Sequence, residues 1–203
     1  MKILTISDNV MGAMEHGDNL LRNYGSAAAI VSCGDMPASY LDYITSVLNV
    51  PLLFVRGNHD TQYTADHPGG ENLHRRLVRF KGVSFVGLEG CIRYNRDPIQ
   101  YTNKQMLTFV VKLLPSVMLY RLIRRRRLDV LVTHSPMRGV HDLDDHAHKG
   151  FRGLRLAVRW FQPRYMLHGH IDTQDSRRPT HTRVYNTEVI NVNPVKFLDL
   201  SLE

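Results

Sequence analysis

Phe54-Val55-Arg56-Gly57-Asn58-His59-Asp60 is the stretch from which the rest of the chain can be read. An apolar run over residues 52–55 stops near a glycine and delivers an amide, an imidazole and a carboxylate in consecutive positions. Open α/β sheets place their chemistry this way, at the carboxyl ends of buried strands. Four more apolar runs end alike. Residues 3–7 lead to Asp8, 28–33 to Gly34-Asp35, 130–133 to His134, and 165–167 to His168-Gly169-His170-Ile171-Asp172. Each predicted strand therefore ends in a group able to ligate a metal ion.

Helical periodicity fills the intervals. Residues 18–24, closed by Gly25, predict a short capped helix. Residues 37–48 carry Leu41, Ile44, Val47 and Leu48 at helical spacing behind a proline, as a crossover between parallel strands requires. Residues 77–80 and 83–88, joined by Lys81-Gly82, predict a hairpin. The longest helix is expected over 102–127, interrupted at Pro115. Its apolar face is read as Met106, Phe109, Val110, Leu113 and Leu114 before the proline, then Leu119, Leu122 and Ile123. A further helix is expected over 151–161, and short closing strands over 184–185, 188–192 and 196–200. Residues 61–72 read as a long loop over the site, 89–98 as a polar loop, and 135–150 as a loop crowded with Asp and His.

The five blocks resemble those of the calcineurin-like metallophosphoesterases, D-x-H, G-D, G-N-H-[DE], H and G-H-x-H, in the same order. They stand here as Asp8-Asn9-Val10, Gly34-Asp35, Gly57-Asn58-His59-Asp60, His134 and Gly169-His170-Ile171-Asp172. The middle three match fully, and the outer two depart at their last position, as in a bacterial-type single-domain member with altered ends. The resemblance implies a four-layer α-β-β-α sandwich of two mixed sheets flanked by helices. It also implies hydrolysis of a phosphate monoester or diester by in-line attack of metal-bound hydroxide.

By the same resemblance two divalent ions, drawn from Mn, Fe, Zn or Ni, share the site, with Asp35 bridging. One is held by Asp35, Asn58, His134 and His170, and this set is complete. The other would rest on Asp8, Asp35 and Asp172, because Val10 cannot ligate and Ala38 stands where some relatives supply a tyrosine. An all-carboxylate site of this kind holds its ion weakly or stays empty. His59 would act as general acid or phosphate ligand, with Asp60 holding its ring. Arg56 and Arg93 are candidate phosphate contacts, and His168 a supporting residue. His146 and His148 are candidates for replacing lost ligands, the alternative being ordinary loop histidines.

Composition bounds these readings. With 203 residues, 43% of them hydrophobic, the chain suits one domain over 1–203. Residues 1–8 reach Asp8 too soon for a signal peptide, and no run approaches the roughly 20 apolar residues of a membrane span. A cytoplasmic protein without a membrane partner is therefore expected. Cys33 and Cys91 fit no paired-thiol spacing. The net charge of +7 favours anionic partners, a phosphorylated small molecule or nucleotide before a nucleic acid. Arg121 and residues 124–127 form the most basic run, read as an exposed helix end rather than a nucleic-acid patch. Two other readings stay open: a catalytically impaired module that binds metal or a phospho-ligand on this scaffold, and nucleic-acid processing. The oligomeric state is not legible.

Overall fold

A computed structural model describes residues 1–63, 68–173, 175 and 177–200. In chain order its elements are β1 (Lys2–Ile6), α1 (Gly17–Tyr24), β2 (Ala29–Ser32), α2 (Ala38–Leu48), β3 (Leu52–Phe54), β4 (Glu71–Asn72), β5 (Leu77–Phe80) and β6 (Val83–Leu88). There follow β7 (Cys91–Ile92), β8 (Gln100–Tyr101), α3 (Asn103–Arg124), β9 (Val130–Thr133), α4 (Arg152–Phe161), β10 (Tyr165–His168), β11 (His181–Val184), β12 (Thr187–Asn191) and β13 (Val195–Asp199). One sheet runs β13-β1-β2-β3-β4, parallel except at β13, and the other runs β11-β12-β10-β9-β6-β5, parallel except at its two outer strands. Both are mixed, as expected. The hairpin forms around Lys81 and Gly82, both at positive φ, the backbone a tight two-residue turn demands.

Period-two alternation builds the layers. Ala29 and Val31 of β2 turn inward, where they meet Phe85, Val130, Val132 and Leu167 of the second sheet. Ile30 turns outward onto Leu41 and Ile44 of α2. Val86, Leu131 and Met166 leave the second sheet on its outer side and pack under α3 and α4. Three apolar layers thus separate four layers of structure, helix, sheet, sheet and helix. Burying each large side chain in them contributes about 1.5–3 kcal/mol. The parallel strands β1, β2 and β3 of one sheet and β9 and β10 of the other all release their carboxyl ends at one rim, where the polar blocks meet.

Three sequence expectations are corrected here. Pro115 does not interrupt α3, which continues for 22 residues. The lost hydrogen bond is that of the Val111 carbonyl, and Val111 and Pro115 lie on the solvent face, where solvent can supply the missing donor. Once continuous, the helix has the length and, over an 18-residue window, the mean hydropathy of 1.7 that suffice by length and composition to cross a membrane, contrary to the reading that no segment does. It nevertheless packs on the core through Met106, Val110, Leu113, Val117 and Tyr120. Leu119, Leu122 and Ile123, expected inward, are 56%, 76% and 66% exposed.

Smaller differences follow from pairing. Two-residue strands, β4 and β7, arise in segments read as loops, and β11 starts at His181 because His181–Val184 pairs with β12. The predicted loop 61–72 falls partly outside the described residues. In the basic run, Arg121 donates to the Trp160 carbonyl and Arg127 to the carbonyls of Gln162 and Asn186. These cations serve the C-terminal end of α4, where a helix leaves carbonyls without partners.

Candidate metal centre

Ligand atoms of Asp8, Asp35, His134 and His170, drawn from four strand ends in two sheets, all lie within 4.8 Å of one another. Three of these residues bend sharply out of their strands: Asp8, Asp35 and His170 have φ of 65°, 55° and 66°. Non-glycine residues in that region cost about 1–3 kcal/mol each and persist only where their surroundings impose them. Two glycines make the approach possible. A Cβ on Gly57 would stand 2.5 Å from the Asp35 carboxyl carbon, and one on Gly169 would stand 2.6 Å from the Ser7 Cβ.

His134 is fully buried at the end of β9. Its Nδ1 donates to the Cys33 carbonyl at 2.8 Å, and its Nε2 faces Asn58 Oδ1 at 3.1 Å and Asp35 Oδ2 at 3.3 Å. Asn58 joins the cluster through that oxygen because its amide nitrogen donates to the Tyr94 hydroxyl at 3.3 Å. The Nε2 of His170 donates to the Ala147 carbonyl at 3.0 Å, which leaves Nδ1 as its lone-pair nitrogen, and its backbone N–H donates to Asp8. A ligating histidine characteristically gives its other N–H to a carbonyl, so both rings are oriented for a cation.

The carboxylates favour a protonated His134, and an ion bound among them would displace its Nε2 proton. Burial works to lower the pKa of His134, yet the carboxylates of Asp35 and Asp8 hold it up at about 9. Burial works to raise Asp35, but His134 brings it down to about 2. His170, pushed to about 3 by burial and by His134, is neutral and can donate a lone pair. Burial raises Asp8. The pocket thus concentrates negative potential on a point ringed by two oxygens of carboxylate, one amide oxygen and two imidazoles. The donor set fits a divalent ion of intermediate softness.

The other expected residues are placed variously. His59 donates its backbone N–H to Asp35 Oδ1 at 2.7 Å, and its exposed ring lines a cavity of about 660 Å³ with Met36, Pro37, Ala38 and Tyr63. Asp60 does not hold that ring. Its carboxylate is buried and accepts the backbone N–H groups of Gly57 at 2.7 Å, Asp35 at 2.7 Å and Met36 at 3.1 Å, clasping two loops together. Val10 is 40% exposed. Asp172 is exposed and borders a separate cavity of about 160 Å³ with His141 and Asp142, outside the group of four. Nearby, Arg177 and Arg178 pair with Asp175.

Arg56 is committed to Glu89, which is 1% exposed and accepts from its Nε and Nη2, both at 2.9 Å. Glu89 also accepts from the Tyr101 hydroxyl at 2.7 Å. Arg93 is held by the Gln100 carbonyl and Gln105, and its own carbonyl faces His146 Nε2 at 3.1 Å. The His148 ring stands 5.2 Å from that of His170, with Nδ1 on Asp145 at 2.8 Å, so it borders the centre. His168 is buried behind the strand end, and its Nε2 meets His141 Nδ1 at 2.9 Å. Sequence reasoning missed Tyr94, Glu89 and the Cys33 and Ala147 carbonyls. No spacing rule reaches them, since each meets its partner only across elements.

Residues 1–174 match the calcineurin-like phosphoesterase family. Among solved structures, TT1561 of Thermus thermophilus is 16% identical with a TM-score of 0.63, covering 98% of this chain and 99% of that one. GAP50, described as the anchor in the inner membrane complex of Plasmodium, is 10% identical with a TM-score of 0.53, covering 94% of this chain and 70% of that one. At such identities the likeness is one of fold. No curated protein matches the sequence significantly.

Proposed function

Since the chain belongs to the calcineurin-like phosphoesterase family, we propose that it hydrolyses a phosphate monoester or diester with the help of divalent metal ions. The observation that carries this reading is the convergence of Asp8, Asp35, His134 and His170, with Asn58 turned to join them. Bound there, a divalent ion would neutralise phosphate oxygens and lower the pKa of a water. Asp35, 3.3 Å from His134 and in one cluster with Asp8, would be the shared ligand. Asn58, His134 and His170 would complete one site. The Asp8 side offers oxygen donors alone, which suits manganese or magnesium held weakly. His59, beside Asp35 and at the mouth of the large cavity, is placed to give a proton to the leaving oxygen or to hold the phosphate. That cavity has room for a small phosphorylated metabolite or a nucleotide.

A specific pair of observations favours a second reading, a binding module with impaired catalysis: Val10 is exposed where a ligand is expected, and Asp172 faces another cavity. Turnover of an aryl phosphate and a bis-aryl phosphate with Mn, Fe, Zn, Ni or Mg separates the two. Under the hydrolase reading at least one pair turns over, chelation abolishes it, and Asp35→Asn lowers it by at least a hundredfold along with metal content. Activity surviving in Asp35→Asn would end the shared-ligand role. Silence with every metal, despite stoichiometric manganese binding, would select the module.

A further inference from the structure

Helix α3 is apolar on two sides and packs with only one. Met106, Val110, Leu113, Val117 and Tyr120 are buried against α4 and the second sheet. Val111, Pro115, Met118, Leu119, Leu122 and Ile123 follow the spacing i, i+4, i+7, i+8, i+11, i+12, which lays a second stripe along the opposite, solvent-facing side. Val111, Leu119, Leu122 and Ile123 are each about half exposed or more, from 49% to 76%. A soluble surface scatters large apolar groups singly, so a continuous stripe on one helix marks a contact face.

We propose that this face of α3 docks on a bilayer surface rich in anionic phospholipid. Charge decides the occupant. Every ionic side chain between residues 103 and 127 is positive; Lys112 is exposed along the edge of the stripe, and Arg124 and Arg125 are exposed at its C-terminal end. A second copy of the chain would bring the same cations and no acid from this element to meet them, whereas phospholipid headgroups supply the opposite charge along the whole face. An apolar stripe flanked by Lys and Arg is the chemistry of a helix lying in the headgroup region, leucine and isoleucine in the acyl boundary and guanidinium groups at the phosphates. Beside the stripe opens a groove of about 370 Å³ walled by Leu77, Leu113, Leu119 and Ile123, with Arg75 at its edge. That pairing of apolar wall and guanidinium suits an acyl chain beneath a phosphate. The protein would rest on the membrane through α3 without crossing it, since the opposite side of the helix is locked to the core. This departs from the expectation that no membrane takes part.

The test reads binding alone and so stands apart from the hydrolase proposal. The full chain is sedimented with vesicles of phosphatidylcholine, and of phosphatidylcholine mixed with phosphatidylglycerol, at low and high salt. The expected result is binding to the mixed vesicles that weakens with salt. Leu122→Gln/Ile123→Gln and, separately, Arg124→Glu/Arg125→Glu should each weaken it by about tenfold or more. These side chains are exposed, so circular dichroism of both variants should match the parent. Failure of the parent to bind mixed vesicles overturns the proposal, as does binding that neither double variant changes. A dimer in the parent that becomes monomeric in Leu122→Gln/Ile123→Gln, without vesicle binding, overturns it in favour of a second copy.

Discussion

Replacing Asp60 by alanine tests how the centre is held together. The carboxylate accepts three backbone N–H groups, from Gly57, Asp35 and Met36, and the bonds to Gly57 and Met36 are buried. Each bond to a charged acceptor contributes about 1.5–3 kcal/mol, and each buried N–H left without a partner costs about 1–3 kcal/mol. Burial and the neighbouring Asp35 both disfavour the Asp60 anion, so its removal relieves part of that cost. The balance is a loss of about 4 kcal/mol, a large share of the 5–15 kcal/mol by which a domain is ordinarily stable. Urea unfolding should show a lower midpoint at unchanged slope. Because the clasp fixes the backbone of Asp35 and the turn carrying Asn58, manganese affinity by calorimetry should fall by about tenfold or more. A variant within about 1 kcal/mol of the parent would refute the clasp. If activity then fell with stability intact, Asp60 would be serving the His59 ring after all.

Three further outcomes follow from the same geometry. Gly57→Ala would put a methyl carbon against the Asp35 carboxyl, so metal affinity should drop more steeply than stability, and equal metal content in variant and parent would contradict the close approach. Arg56→Met leaves the buried Glu89 carboxylate without its main partner, which should cost about 3 kcal/mol in thermal or urea unfolding, and a shift within error would show the pair to be dispensable. His74 is largely covered by Tyr101 and Phe109, and this partial burial lowers its pKa to about 4. Its folded value lies below the unfolded 6.5, so the unfolded chain takes up the proton first. Stability is therefore complete above about pH 6.5 and declines as pH falls towards 4, by about 3 kcal/mol from this residue. His74→Gln should flatten that slope, and an unchanged slope would assign the acid sensitivity elsewhere.

The ligand blocks were legible because each is local: a buried strand ends and the next polar residue is exposed to the rim. The clasp was not. Asp60 sits beside His59 in sequence, which suggests a partnership, but the turn carries its carboxylate across to the backbone of residues 35 and 36. Asn58 likewise needs Tyr94, 36 positions on, to aim its oxygen. Asp172 stands two residues after His170, and with the change of direction at His170, marked by its positive φ, the His170 ring joins the ligand cluster while Asp172 borders a separate cavity.

The sequence by itself determined which strands are buried, in what order they carry ligands, and that helices cover the sheets those strands form. Those follow from period and polarity along a short stretch of chain. Only the tertiary structure decided which side of α3 is core. The helix carries two apolar stripes, and periodicity weighs them equally. Packing against α4 and the second sheet takes the stripe of Met106, Val110 and Val117 and leaves that of Leu119, Leu122 and Ile123 facing outward, because a helix laid on a sheet can bury one side only.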